Sequence, residues 1–122
     1  MGKNMNNKKV LIVEDEMMVL IMIEDMLEEF GCQSSASAAT SEQAIILLER
    51  ETFDAAILDI NLNGKRSYDV AEALLLNKIP FVFCSGNAIR DLPPQFRNIP
   101  FLRKPFSYQA LASQLIVLLG GR

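Results

Sequence analysis

Short apolar runs alternate along the chain with longer stretches in which apolar residues recur at every third or fourth position. The runs are typical of strands buried on both faces of a sheet, and the longer stretches are typical of amphipathic helices. The apolar runs predict strands at 10–13, 55–58, 81–84 and 100–103, with a weaker strand near a sheet edge at 32–37. The periodic stretches predict helices at 17–30, 41–51, 68–77 and 108–119.

Capping residues mark the ends of several predicted helices. Thr40 and Gln43 form a capping box in front of the second helix, and Ser107 is placed to cap the last one. Gly31 follows the first helix, at a position where glycine commonly ends one. The alternation of strands and helices predicts one α/β domain at 9–122, in which a parallel sheet is covered on both faces. The polar segment 1–8 is predicted to be a disordered tail.

The segment between the fourth and fifth predicted strands does not resemble a helix. It contains Gly86, Asn87 and the pair Pro93-Pro94. A proline inside a helix costs about 3 kcal/mol. We therefore predict a fourth helix that is short or irregular, and we regard this segment as a candidate for conformational change.

Composition excludes several classes of function. The net charge is −3, which gives no basic face for nucleic acid, and no apolar run is long enough to span a bilayer. The chain has no histidine, so histidine catalysis, histidine-ligated zinc and an internal phosphohistidine are excluded. Cys32 and Cys84 fit no metal-binding spacing and are predicted to be reduced thiols. We expect a cytoplasmic protein with neither nucleic-acid nor membrane partners.

Polar side chains follow four of the predicted strands, at the point where each strand ends. They are Glu14 with Asp15, Asp59, Ser85 and Lys104. Functional groups of an open α/β sheet gather outside the carboxyl ends of its strands. We therefore expect these five side chains to converge.

Three carboxylates in one pocket repel one another unless a proton or a cation relieves the repulsion. The oxygen-rich set favours Mg²⁺, with Mn²⁺ as a substitute. We assign Asp15 and Asp59 as direct ligands, Glu14 as a ligand through water, and the backbone carbonyl of Asn61 as a further oxygen.

Asp59 is the candidate nucleophile, since a carboxylate can attack a phosphoryl group and form an aspartyl phosphate. Mg²⁺ and Lys104 would supply positive charge on two sides of the phosphoryl oxygens, and the Ser85 hydroxyl could donate a hydrogen bond. Taken singly, each residue also has a structural interpretation: Asp59 as a turn residue, and Glu14 and Asp15 as acids at a helix N-terminus. The combination at four separate strand ends favours the functional interpretation.

Four segments carry a family resemblance across residues 9–119. They are VLIVEDE (10–16), AAILDINLNG (55–64), FVFCSG (81–86) and FLRKPF (101–106). Together they resemble the receiver domains of two-component response regulators, which are CheY-like. The resemblance implies a flavodoxin-like (βα)5 fold, doubly wound, with a five-stranded parallel sheet in the order 2-1-3-4-5.

The resemblance also implies residue roles. Asp59 falls at the phosphoacceptor position, Ser85 at the switch hydroxyl, Lys104 at the family's lysine and Phe101 at the switch aromatic. The Lys104–Pro105 peptide is implied to be cis. The stretch 64–87 and the segments LPPQF and PFLRKPF are similar to the FATGUY subgroup of receivers, with Phe83-Cys84-Ser85-Gly86 in place of the subgroup's Phe-Ala-Thr-Gly.

The function implied is that of a single-domain response regulator in a phosphorelay. It would take its phosphoryl group from a sensor histidine kinase, with the HWE/HisKA2 type as one option, or from a histidine phosphotransfer protein. It would signal by phosphorylation-dependent protein–protein interaction or act as a phosphate sink, and it would catalyse only its own phosphorylation and dephosphorylation. Tyr108, Leu111 and Leu115 are candidates for an output face, although we interpret Leu111 and Leu115 as core residues.

Two other functions compete with this one. A phosphohydrolase of the haloacid dehalogenase type would carry a second acid two residues after its nucleophile, where this chain has Asn61. A pseudo-receiver would bind partners without taking phosphate, and the complete set of site residues argues against it.

Overall fold

All five runs predicted as strands pair side by side in one parallel sheet. The strands are β1 (Lys9–Val13), β2 (Ser34–Ala38), β3 (Ala55–Asp59), β4 (Phe81–Ser85) and β5 (Phe101–Arg103). Their order is β2-β1-β3-β4-β5 with parallel pairing throughout, which confirms the predicted order and the flavodoxin-like fold class. The computed structural model describes residues 7–32, 34–86 and 92–120, so most of the predicted tail at 1–8 lies outside the described residues.

The four predicted helices are present. They are α1 (Met17–Phe30), α2 (Ser41–Arg50), α3 (Tyr68–Leu76) and α4 (Tyr108–Leu115). The predicted last helix divides in two, because α4 passes into a π-helical turn at Ile116–Gly120. Among the described residues, no helix is both long and apolar enough to cross a membrane.

Side chains of β1 alternate between two separate cores, one on each face of the sheet. Val10 and Ile12 pack into the core that α1 and α4 cover, whereas Leu11 and Val13 pack into the core on the side of α2 and α3. All four are fully buried, which explains why this strand appears in the sequence as a continuous apolar run. Leu111 and Leu115 of α4 are also buried, so the interpretation of these two residues as core is confirmed.

The segment between β4 and β5 contains a single 3-10 turn, Pro94–Phe96, in its described part, while residues 87–91 lie outside the described residues. This agrees with the predicted short or irregular fourth helix. Phe96 anchors the turn, since its ring is fully buried and lies 5.7 Å from the Phe83 ring and 5.5 Å from the Tyr68 ring, centroid to centroid. The turn is therefore held against the α3 side of the sheet by aromatic packing.

Tyr68 has a buried hydroxyl that finds no hydrogen-bond partner among the described residues. A hydroxyl that is buried without a hydrogen-bond partner destabilises the folded state, because it loses its hydrogen bonds to water and forms none in the protein. We expect Tyr68→Phe to raise the free energy of unfolding by about 1 kcal/mol. Urea unfolding measures the change, with Tyr108→Phe, at the half-buried start of α4, as the matched control expected to change little. A loss of stability in Tyr68→Phe alone would show that the hydroxyl has a partner.

Candidate functional site

The polar residues that follow the strands meet at the carboxyl edge of the sheet, as predicted. They surround an open cleft of about 270 Å³. Its lining residues are Asp15, Glu16, Asp59, Asn61, Asn63, Gly64, Ser85, Gly86 and Lys104. Asp59 and Ser85 are each only 4% exposed, and Glu14, which contacts Lys104, is 2% exposed.

Lys104 joins two of the carboxylates. Its Nζ lies 2.9 Å from Asp59 Oδ2 and 2.8 Å from Glu14 Oε1. Its backbone N–H donates to the Ser85 carbonyl at 2.8 Å, which ties the end of β5 to the end of β4. The following peptide, Lys104–Pro105, is cis, as the family resemblance implied. The lysine ammonium is thereby held between the ends of β1 and β3.

Burial and charge oppose each other in this group. The pKa of Glu14 is raised from 4.5 to about 7, mainly by burial and to a smaller extent by the charge of Asp59, while the Lys104 ammonium lowers it. Burial also disfavours the charged form of Lys104, but its hydrogen bonds to Glu14 and Asp59 outweigh burial and raise its pKa. The lysine therefore stays charged, and one cation faces more than one buried carboxylate.

Glu14, Asp15 and Asp59 form an acidic cluster suited to a divalent cation. One carboxylate oxygen from each residue lies within 4.8 Å of the others. The donors are all oxygen atoms, which are the ligands that Mg²⁺ prefers, and the cluster opens onto the cleft through Asp15 and Asp59. The residues present therefore fit a hard divalent metal ion.

A short hairpin, which sequence reasoning took for a plain polar loop, encloses the cleft on the side of β3. Its strands are Asn61–Leu62 and Lys65–Arg66, joined by Asn63 and Gly64 with φ of 53° and 85°. The dipeptide Asn-Gly is a strong signal for a two-residue turn of this kind, and it could have predicted the hairpin.

The hairpin directs backbone N–H groups at two carboxylates of the site. The Asn61 N–H donates to Asp59 Oδ1 at 3.1 Å, and the Asn63 N–H donates to Asp15 Oδ2 at 3.0 Å. One carboxylate oxygen of Asp59 thus accepts a hydrogen bond from the hairpin backbone, and the other accepts one from Lys104. Sequence reasoning missed Asn63, because a backbone donor leaves no trace in residue type.

Ser67 was also missed by sequence reasoning. Its hydroxyl is fully buried and donates to the backbone carbonyl of Asp59 at 2.6 Å. A serine before a predicted helix would be read as a helix cap, so residue type alone points to a different role.

Phe101 lies apart from the residues that line the cleft. It begins β5, the edge strand of the sheet, and is 36% exposed. Its register partner on β4 is Phe83, whereas Ser85 pairs with Arg103 at the site end of the same strands.

Comparison with known proteins shows which family this chain resembles. The model of the response regulator receiver domain matches residues 10–116. Among curated proteins, the transcriptional regulatory protein PdtaR of Mycobacterium tuberculosis is 30% identical over 108 residues, which cover 85% of this chain and 53% of PdtaR. The chain therefore spans about half the length of this relative.

Solved receiver structures superpose closely on this fold. The solution structure of SdrG from Sphingomonas melonis Fr1 is 41% identical, has a TM-score of 0.81, and covers 92% of this chain and 96% of SdrG. SdrG in a BeF₃-activated conformation gives a TM-score of 0.77 over 91% of this chain and 95% of that one.

A more distant neighbour shares the fold. The receiver domain of sensor histidine kinase PA1611 from Pseudomonas aeruginosa PAO1, solved with a magnesium ion coordinated in its active site cleft, is 24% identical, with a TM-score of 0.81 over 93% of this chain and 98% of that one. The family match over 10–116, the five-stranded sheet and the acidic cleft at its carboxyl edge agree on one conclusion. The chain belongs to the response regulator receiver domain family.

Proposed function

We propose that this receiver domain accepts a phosphoryl group on the Asp59 carboxylate in a Mg²⁺-dependent reaction. The donor would be a sensor histidine kinase or a histidine phosphotransfer protein. One observation carries the proposal: the Asp59 carboxylate lines an open cleft, 2.9 Å from a lysine ammonium, with two further carboxylates close enough to share a metal ion.

The chemistry needs positioning and charge neutralisation more than covalent machinery. An Asp59 carboxylate oxygen forms a bond to phosphorus while the P–N bond of a donor phosphohistidine breaks, and the imidazole nitrogen keeps the electron pair. Lys104, whose charged form is stabilised by Glu14 and Asp59, would neutralise charge on the transferred group. The Ser85 hydroxyl, which lines the same cleft, would donate a hydrogen bond to a phosphoryl oxygen.

Asp15 and Asp59 would hold the metal ion directly, Glu14 would act through water, and the Asn61 carbonyl would supply a further oxygen. When bound, Mg²⁺ would offset the negative charge that the carboxylates and the phosphoryl group bring together. The magnesium ion in the PA1611 receiver supports this choice, as does the all-oxygen donor set here. Mn²⁺ would substitute for it.

The phosphorylated state would signal through a change in shape, or else the domain would drain phosphoryl groups from a kinase. Phosphorylation adds charge and acceptor oxygens at the strand ends. Ser85 would then turn toward the phosphoryl group, and Phe101, now 36% exposed on the edge strand, would swing inward. The segment that follows Ser85 would move with them, and a partner protein in the cytoplasm would bind the altered surface.

Asp59→Asn tests the acceptor directly. We expect wild-type protein incubated with Mg²⁺ and acetyl phosphate to gain one phosphoryl group, measured by intact mass spectrometry. Asp59→Asn should gain none, because the neutral amide of asparagine replaces the carboxylate nucleophile. Asp25→Asn, at an exposed acid of α1, is the control and should gain one group like the wild type. A wild-type protein that takes no phosphoryl group from any donor would favour the pseudo-receiver.

Magnesium should stabilise the folded protein, because a ligand that binds only the folded state adds its binding free energy. At a concentration 100 times the dissociation constant the gain is about 2.7 kcal/mol. Each kcal/mol raises the melting temperature of a domain of this size by about 3–6 °C. We expect Asp15→Asn to abolish most of this shift, while Asp25→Asn keeps it. Equal shifts in the two variants would exclude Asp15 as a ligand.

Hydrogen exchange tests the switch. With Mg²⁺ present, we expect beryllium fluoride to change amide protection at 92–100, around the 3-10 turn, because this segment lies between Ser85 and Phe101 in the chain. Asp59→Asn should show no change on the same addition. Unchanged protection in wild-type protein that demonstrably binds beryllium fluoride would contradict this output route.

A further inference from the structure

Ser67 occupies the N-cap position of α3, but its hydroxyl does not cap the helix. The N-cap residues of α2 and α4, Thr40 and Ser107, behave as expected, with side-chain oxygens that accept from backbone N–H groups at 3.1 Å and 3.0 Å. Ser67 has φ −97° and ψ 30°, outside the extended conformation that Thr40 and Ser107 adopt. Its hydroxyl is turned to a different partner.

That partner is the last residue of β3. The Ser67 hydroxyl donates to the Asp59 carbonyl at 2.6 Å, and the Ser67 N–H donates to the Ile60 carbonyl at 2.8 Å. Ser67 thus donates hydrogen bonds to the backbone carbonyls of two consecutive residues, Asp59 and Ile60. The Ile60 N–H, on the other side, donates to the Cys84 carbonyl of β4 at 3.0 Å. The peptide that joins Asp59 to Ile60 is therefore fixed by both β4 and Ser67.

The two hydrogen bonds of Ser67 close the loop that runs from Asp59 to Ser67. Between Asp59 and Ser67 lies the hairpin, whose Asn61 N–H donates to Asp59 Oδ1 and whose Asn63 N–H donates to Asp15 Oδ2. Because the hairpin continues the chain directly from Asp59, a shift of the Asp59 backbone would move the Asp59 carboxylate and both N–H donors together. Ser67 is fully buried, so bulk water does not compete with its hydroxyl for the Asp59 carbonyl.

We propose that Ser67 is a positioning residue for phosphoryl acceptance: by holding the carbonyls of Asp59 and Ile60, it fixes the acceptor carboxylate relative to Lys104 and the Asn61 backbone relative to the metal-binding acids. The inference rests on the proposed function, because it assigns Ser67 to that same site. Residues that orient metal-binding or reacting groups typically change metal affinity or activity 10- to 100-fold when they are altered. A serine that only stabilised the fold would change the melting temperature and nothing else.

Ser67→Ala and Ser107→Ala form a matched pair, since each removes one serine hydroxyl that makes a backbone hydrogen bond at the start of a helix. Calorimetry with MgCl₂ alone gives the metal affinity, and acetyl phosphate at saturating Mg²⁺ gives the rate of phosphorylation. We expect Ser67→Ala to lose about 10-fold in rate, in Mg²⁺ affinity or in both. Ser107→Ala should stay within about twofold of wild type in both. Wild-type values for both quantities in Ser67→Ala would overturn the inference, whatever its melting temperature.

A second measurement needs neither metal nor phosphoryl donor. In EDTA, amide exchange at Ile60 and Asn61 should accelerate in Ser67→Ala and stay unchanged in Ser107→Ala; unchanged exchange in both would overturn the inference. If the wild-type protein took neither Mg²⁺ nor a phosphoryl group, the proposed function would fail, and this measurement would still decide whether Ser67 holds the Asp59 backbone. If Ser67→Ala does not fold, Ser67→Cys replaces it in all of these measurements. Its thiol occupies the space of the serine hydroxyl but is only a weak hydrogen-bond donor.

Discussion

The pairing of one half-buried lysine with two buried carboxylates is the interaction on which the site depends. Lys104 lies within 3 Å of both Glu14 and Asp59, and without it two acids from adjacent strands would repel each other in a region of low dielectric. The lysine reaches them from the end of β5, on the far side of β4. The charge balance therefore requires that β1, β3, β4 and β5 end at the same level, and the parallel register of the sheet supplies that alignment.

The same architecture explains why the chemistry collects where it does. The central strands β1, β3 and β4 offer no solvated side to a polar group, so polar side chains appear where these strands end. β1 is apolar from Val10 to Val13 and is followed by Glu14, and β3 is apolar from Ala55 to Leu58 and ends in Asp59. The core and the acidic cleft are thus two results of one constraint, the burial of the sheet on both faces.

The connections after β3 and β4 differ in how they are held, and this difference bears on function. The hairpin after β3 is tied to the site by backbone hydrogen bonds and by Ser67, which suits the proposed role of this loop in positioning Asp59 and the metal-binding acids. The 3-10 turn before β5 is instead held by the packing of Phe96 against Phe83 and Tyr68. Aromatic packing is less directional than hydrogen bonding, which fits the role proposed above for this turn in the switch.

The sequence by itself determined the fold class, the strand order implied by family resemblance, and the convergence of Glu14, Asp15, Asp59, Ser85 and Lys104, because hydrophobic periodicity and strand-end position are encoded locally. It also placed Leu111 and Leu115 in the core. Only the tertiary structure decided that Lys104 sits between Glu14 and Asp59, that backbone donors of the hairpin reach Asp15 and Asp59, and that the Ser67 hydroxyl holds the Asp59 carbonyl rather than capping α3. Hydrogen bonds between residues distant in the chain depend on where the backbone runs, and residue type alone carries no record of that path.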